Sequence, residues 1–103
     1  MERTIGDAEY HLTVARSMIA KPENWCQNGF HKGNAYCASG TLREMQSNFN
    51  PYKYYQDTRA FSLLAHETSK QGWTVTGFND SHNHAEVLAI FDAAIAEARR
   101  LGV

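Results

Sequence analysis

The sequence has few of the features that mark secreted, membrane-bound or nucleic-acid-binding proteins. Only two cysteines, Cys26 and Cys37, occur among the 103 residues, so a disulfide-rich scaffold is not expected and both are predicted to be free thiols. No run approaches the roughly 18 apolar residues of a transmembrane helix. The first residues, MERTIGDAEYH, lack the apolar core of a signal peptide. We therefore expect a cytoplasmic protein without a membrane partner.

An excess of charge of one sign is also lacking. The chain has 10 basic and 11 acidic residues, for a formal net charge of −1, and the basic residues never form a run. Because proteins that bind nucleic acids gather lysine and arginine on one face, a nucleic acid is not the expected partner. Hydrophobic residues make up 43% of the chain, and the length suits one compact domain over residues 1–103.

The strongest periodic pattern occupies the C-terminal quarter of the chain. Apolar side chains recur there at the i, i+4, i+7 spacing of one helical face, at Val87, Phe91, Ala94, Ala98 and Leu101. Asn83 and Glu86 have the spacing of a capping box, and Gly102 permits the helix to stop. The pattern predicts a long helix, and its apolar breadth places this helix at the centre of the fold.

Three shorter helices are predicted upstream, over about 7–20, 37–49 and 59–71. A proline follows each of the first two, and Gly72 suits a left-handed end of the third. The first helix carries a second apolar ridge, formed by Tyr10, Val14 and Met18. We interpret this ridge as packed inside the protein rather than presented to a partner.

The connections between these helices are short. Residues 22–36 contain the turn dipeptides Asn28-Gly29 and Gly33-Asn34, and predict a short β-hairpin or an ordered loop. Gly40, inside a predicted helix, indicates the close approach of another backbone. Residues 73–78, WTVTGF, are rich in β-formers and predict one strand or an extended connection. The fold class is thus mainly α, with about four helices around a central C-terminal helix.

Several short motifs resemble a family of small uncharacterised proteins from bacteria and their phages. They are Trp25, Cys37-Ala38-x-Gly40-x-Leu42, Asn79-Asp80, and Glu86-Val87-Leu88 before an alanine-rich helix. This chain departs from the usual family pattern in having Thr41 in place of an alanine, Phe78 in place of a tryptophan and Asn83 in place of a threonine. The resemblance covers most of residues 10–100. It implies a domain of unknown function from a bacterium, a phage or another mobile element, and it implies no activity.

Cys37 is the sharpest candidate for chemistry, because it falls near the start of a predicted helix, where the dipole favours a thiolate. With His84 as base and Asp80 as orienting group, it would form a nucleophilic triad. The alternative interpretation is a small buried cysteine with a packing role.

A zinc site is the second chemical hypothesis. Cys26, Cys37, His82 and His84 offer two thiolates and two imidazoles, which zinc favours, with His31 as an alternative ligand. However, the spacings Cys-x10-Cys and His-x-His match no common zinc module. We therefore predict no bound metal and no cofactor.

Polar and aromatic residues supply the candidate binding sites. Asn79 and Asp80 are predicted to hold the turn before the last helix through Asx hydrogen bonds. The alternative is a polar pocket walled by Trp25 or Trp73, although no glycine-rich phosphate loop accompanies it.

Three tyrosines in one connection, Tyr52, Tyr54 and Tyr55, predict an exposed protein-binding edge. The leading hypothesis is a small helical binding or regulatory protein without enzymatic activity, acting through a protein partner. The alternative is a small-ligand pocket or cysteine-based enzyme built on Cys37, Asn79, Asp80 and His84.

Overall fold

Five α-helices and one short hairpin make up the described part of the chain. The computed structural model describes residues 6–50 and 53–103. The helices are α1 (Asp7–Met18), α2 (Ala38–Phe49), α3 (Arg59–Ser69), α4 (Val75–Ser81) and α5 (His84–Leu101). The hairpin pairs β1 (His31–Lys32) with β2 (Ala35–Tyr36), and 3₁₀ turns lie at Pro22–Asn24 and Tyr55–Asp57. The predicted mainly α class is confirmed, and no helix in these ranges is long and apolar enough to cross a membrane.

Helix α5 is the central element, as predicted. It packs against both α1 and α3, and its apolar stripe is buried at Val87, Phe91, Ala94 and Ala98. Burial of each large apolar side chain contributes on the order of 1.5–3 kcal/mol. Leu101, which was predicted on the same stripe, is instead exposed. The reason is that the chain turns at Gly102 and packs Val103 against the core instead.

Hydrogen bonds at the start of α5 form the predicted capping box. The Asn83 side chain accepts from the Glu86 N–H at 2.8 Å, and the Glu86 carboxylate accepts from the Asn83 N–H at 3.0 Å. At the other end, Gly102 adopts the left-handed conformation with a φ of 73°. Both ends of the helix are therefore fixed by local sequence.

Helix α1 buries only one of its two apolar ridges. The buried ridge consists of Ala8, Leu12, Ala15 and Ile19. On the second ridge, Val14 and Met18 are half-buried and Tyr10 is exposed. The interpretation of a fully packed second ridge is therefore wrong at Tyr10. Helix α2 does not close over it there, and a shallow groove lined by Tyr10, His11, Met45 and Asn48 stays open.

The hairpin predicted within residues 22–36 is formed. Its register pairs His31 with Tyr36 and Lys32 with Ala35. Gly33 makes the turn with a φ of 60°, which glycine adopts without strain. The segment before the hairpin also bonds to β2, since the Cys26 N–H donates to the Tyr36 carbonyl at 3.1 Å.

A close backbone contact joins this segment to α2. The Phe30 carbonyl oxygen accepts from the Cys37 N–H at 3.2 Å. The same oxygen occupies the space that a Cβ on Gly40 would need. The close approach predicted at Gly40 is therefore confirmed.

The prediction of a strand or extended connection over residues 73–78 is wrong, because these residues begin helix α4. The Thr74 side chain caps the helix by accepting from the Gly77 N–H at 3.0 Å. Val75 and Phe78, one helical turn apart, are both buried. This capping and burial outweigh the β preference of the threonines and valine. Asn79 consequently lies in the last turn of α4 and not in a separate turn.

Candidate functional site

Asn79 lies at the centre of a buried hydrogen-bond network. Its Oδ1 accepts from the Trp25 Nε1–H at 2.7 Å and from the Ala38 N–H at 3.0 Å. Its Nδ2 donates to the Cys26 carbonyl and to the Asp80 carboxylate, both at 3.0 Å. An amide side chain can accept two hydrogen bonds and donate two. Asn79 therefore uses its full capacity inside the protein, and joins the loop before the hairpin and the start of α2 to α4.

The residues around Asn79 strengthen the same junction. The Asp80 carboxylate accepts from the Asn28 N–H at 2.8 Å. The Gln27 side-chain amide donates to the carbonyls of Asn79 and His82, at 3.1 and 3.0 Å. Through these bonds, Gln27 and Asn28 of the loop before the hairpin are held to the end of α4.

Of the two predicted tryptophan walls of a polar pocket, the structure brings only Trp25 to Asn79. The contact between them is a direct hydrogen bond, which leaves no room for a ligand between the two side chains. Trp73 is exposed and packs edge-on against His82, with ring centroids 5.5 Å apart. The arrangement supports the structural interpretation of Asn79-Asp80.

Cys37 occupies the N-cap of α2 with its side chain 2% exposed. Its Sγ accepts from the Gly40 N–H at 3.3 Å. Burial raises the pKa of the Cys37 thiol, and the hydrogen bonds from the Gly40 and Ser39 amides offset this only in part. The helix start was expected to favour the thiolate, but the loss of hydration is the larger effect. The environment favours a neutral thiol, the opposite of what nucleophilic catalysis requires.

The histidines of the chemical hypotheses bond to backbone carbonyls. His84 Nε2 lies 2.6 Å from the Ile19 carbonyl oxygen, and its ring packs on Trp25. His82 Nδ1 lies 2.9 Å from the Phe78 carbonyl, and its ring stacks on Phe78 with centroids 3.7 Å apart. In the described ranges, no hydrogen bond joins Cys37 to His84 or Asp80. The same ranges hold no group of three or more His, Cys, Asp or Glu placed to bind a metal ion.

Aromatic rings gather around Tyr55. Tyr55 is 6% exposed and contacts Tyr54, Phe30 and Phe61, with ring centroids 4.9, 6.4 and 5.3 Å away. Tyr54 is 59% exposed and Phe30 is 39% exposed. Burial raises the pKa of the Tyr55 hydroxyl. Of the three tyrosines predicted to form a binding edge, Tyr54 is exposed, Tyr55 belongs to the interior, and Tyr52 lies outside the described residues.

Arg43 completes the exposed part of this cluster, with its guanidinium 4.8 Å from the centroid of the Phe30 ring. We call Phe30, Arg43 and Tyr54 the aromatic face. Within residues 6–50 and 53–103, four other cations are held in ion pairs: Arg16 with Asp92, Lys70 with Glu67, Arg99 with Glu9, and Arg100 with Glu97. Arg43 has no ion-pair partner in the described part of the chain. The aromatic face therefore carries an arginine that is held in no ion pair with the described residues.

A comparison with protein-family models identifies the family of the chain. The model of DUF6197, a family of unknown function, matches residues 6–97. The chain belongs to this family. Searches of curated proteins and of solved structures gave no match. The predicted membership in an uncharacterised family is thus confirmed.

In this DUF6197 protein, several of the residues that carried the resemblance meet at Asn79. Trp25, Ala38 and Asp80 all bond to Asn79, and Gly40 allows the Phe30 carbonyl to approach α2. The motifs therefore describe how the loop, α2 and α4 are joined.

Sequence reasoning missed Phe30 and Arg43 as members of a surface. Phe30 lies between two turn dipeptides, which indicate a turn but no surface. Arg43 lies next to Glu44 on the exposed side of α2, where no local pattern indicates a ring contact. Only the long-range contact with Tyr55 brings them to Tyr54.

Proposed function

We propose that this DUF6197 protein is a non-enzymatic binding protein that docks an acidic segment of a partner protein on the aromatic face. One observation carries the proposal. Two exposed rings, Phe30 and Tyr54, come from distant parts of the chain and both rest on the single buried ring of Tyr55. The cytoplasmic setting and the bacterial or phage source expected from the sequence remain part of the proposal.

The chemistry of the aromatic face supports a protein partner. Tyrosine, phenylalanine and arginine are enriched in the centres of protein interfaces, where they supply large contact areas at a low entropic cost. Because Tyr55 is fixed in the interior, it limits the motion of the two rings above it, and less order has to be imposed on binding.

The charge of the face supports an acidic partner. Arg43 lacks an ion-pair partner in the described residues, so a partner's carboxylate would not have to displace an internal one. Complementary charge raises the association rate and selects the partner's orientation.

The enzyme alternative gains no support from the geometry. Asn79, Asp80 and His84 each satisfy an internal hydrogen bond, and Cys37 is a buried thiol. A ligand or substrate at this junction would have to break bonds that hold the fold.

A photo-crosslinking experiment tests the proposal. A benzophenone amino acid replaces Tyr54 in one preparation and Trp73 in another. Trp73 is a comparably exposed aromatic that contacts His82 and none of the aromatic face. We expect a protein crosslinked from position 54 and not from position 73, and we expect the yield to fall with salt.

The double substitution Phe30→Ala and Tyr54→Ala supplies the second arm. We expect it to abolish retention of the crosslinked protein while the thermal midpoint stays within a few degrees, because neither residue belongs to the hydrophobic core cluster. Equal retention by the double variant and the parent would overturn the proposal.

A further inference from the structure

A cavity lies where the start of α1, the end of α2 and the start of α3 meet. Its volume is about 640 Å³, which is within the range of pockets for small ligands. Its polar walls include Asp7, Gln46, Lys53, Thr58 and Arg59. None of the described residues that line it belongs to the aromatic face, so it is separate from the docking proposed above.

The first turn of α3 offers unused hydrogen-bond donors to this cavity. The Thr58 side chain accepts from the Phe61 N–H at 3.2 Å, and the Thr58 carbonyl accepts from the Ser62 N–H at 3.1 Å. The amides of Arg59 and Ala60 have no acceptor among residues 6–50 and 53–103. The N-terminus of a helix carries partial positive charge and binds anions through such amides.

The side chains at this point add positive charge. Lys53 and Arg59 line the cavity and have no ion-pair partner in the described ranges. The first turn of α3 holds no acidic residue. Arg59 therefore lies at the end of the helix dipole that repels it, and a bound anion would convert this repulsion into attraction.

A hydrogen-bond acceptor on the α2 side of the cavity indicates the rest of the ligand. Gln46 is 6% exposed, and its Nε2 donates to the Asn50 carbonyl at 3.0 Å. Its Oε1 has no partner in the part of the chain that the structure describes. In the described residues, no buried side-chain nitrogen or oxygen lacks a hydrogen-bond partner, so this oxygen is open to solvent and can accept a hydrogen bond from a ligand. Asp7, also on the wall, is a second acceptor and would repel a ligand that is anionic throughout.

We propose that this cavity binds a small phosphate monoester that carries free hydroxyl groups, such as a sugar phosphate. Its phosphate contacts the Arg59 and Ala60 amides and the side chains of Lys53 and Arg59. Its hydroxyl groups donate to Gln46 Oε1 and to the Asp7 carboxylate. The ligand thus supplies negative charge at one wall and hydrogen-bond donors at the other.

The test is a titration of ¹⁵N-labelled protein, followed by amide chemical shifts. The probes are glucose 6-phosphate, ribose 5-phosphate and glycerol 3-phosphate, with glucose and inorganic phosphate as partial ligands. We expect at least one monoester to give saturable shifts at the Arg59 and Ala60 amides, with tighter binding than inorganic phosphate. The absence of saturable shifts below about 10 mM for all three monoesters overturns the proposal, and so does equal affinity for inorganic phosphate.

Substitutions at exposed positions separate the site from general charge effects. Arg59→Gln and Lys53→Gln should each weaken monoester binding about tenfold or more, as expected for loss of a charge-assisted hydrogen bond. Arg43→Gln removes the same charge outside the cavity and should change the affinity less than twofold. Equal weakening by Arg43→Gln and Arg59→Gln would show a nonspecific charge effect and overturn the assignment.

Discussion

At the scale of single residues, Asn79 shows how one side chain can replace a stretch of regular structure. The loop before the hairpin has few backbone bonds of its own. One amide group instead binds Trp25, Cys26 and Ala38. Because these groups are buried, each would cost free energy if its bond were lost without a replacement.

Replacing Asn79 tests this structural role. Asn79→Asp keeps the size and one acceptor but removes both donors and places a second carboxylate beside Asp80. We expect it to lower the free energy of unfolding by about 3 kcal/mol at neutral pH, as for other buried polar groups left unpaired. Urea denaturation measures the loss. Asn48→Asp, at an exposed position on α2, is the matched control, and an equal effect of the two changes would contradict the role of Asn79.

The two thiols provide a second prediction at this scale. Burial raises the pKa of Cys37 and of Cys26, and the Cys37 side chain is almost inaccessible. Iodoacetamide should therefore modify Cys26 faster than Cys37 in the folded protein, with both rates still rising with pH above the ordinary thiol range. Peptide mass spectrometry over a pH series measures both rates. Modification of Cys37 at neutral pH as fast as a free thiol would restore the nucleophile hypothesis.

The raised pKa of Cys37 also has a consequence for stability. A thiol whose pKa is higher in the folded state than in the unfolded state contributes its full stability below the unfolded pKa. That contribution is lost as the pH rises through the folded pKa. In Cys37→Ala, the free energy of unfolding should therefore fall less steeply as the pH rises into the alkaline range. Cys26→Ala, at a more accessible thiol, provides the comparison.

At the scale of elements, the contact between Gly40 and the loop decides how α2 meets the hairpin. Helix propensity alone predicts that Gly40→Ala stabilises α2 by about 1 kcal/mol. Sterics predict the reverse, because the new methyl group would overlap the Phe30 carbonyl. Overpacking typically costs about 1–3 kcal/mol, and here the obstacle is backbone rather than a flexible side chain.

We expect Gly40→Ala to lower the free energy of unfolding by about 2 kcal/mol. It should also weaken crosslinking from position 54, because relief of the overlap must move Phe30. Chemical denaturation and the crosslinking yield are the two measurements. Ser47→Ala, at an exposed position of the same helix, should change neither. A more stable Gly40→Ala protein would show that propensity outweighs the contact.

The elements also show how much of the fold follows from sequence patterns. Helices α1, α2, α3 and α5 were predictable because their apolar periodicity and end signals are local. Helix α4 was not, since Thr74, Val75 and Thr76 favour strands and the helix depends on burial of Phe78 and Asn79 against other elements. The exposure of Tyr54 was predictable, because the connection that holds it is rich in tyrosine.

The remaining parts of the two candidate sites depend on contacts between distant segments. Phe30 joins the aromatic face only through Tyr55. The cavity joins Asp7, Gln46 and Arg59, which belong to three different helices or their ends. No local pattern marks such groupings.

At the scale of the whole molecule, one turn connects the aromatic face to the cavity. Tyr54 precedes the 3₁₀ turn and Thr58 follows it, and the Tyr55 carbonyl accepts from the Thr58 hydroxyl at 2.7 Å. The ring of Tyr55 anchors this turn in the interior. The position of Tyr54 and the start of α3 therefore both depend on Tyr55.

This shared anchor predicts a pattern across variants. Phe30→Ala with Tyr54→Ala should abolish partner crosslinking and leave monoester binding unchanged, and Arg59→Gln should do the reverse. Tyr55→Leu keeps an apolar side chain but loses the ring contacts to Phe30 and Phe61, so it should weaken both activities in a protein that still shows a helical circular dichroism spectrum. Tyr55→Leu could instead lose crosslinking and still bind the monoester normally. That result would mean that the Thr58 N-cap positions the start of α3 independently of the Tyr55 ring.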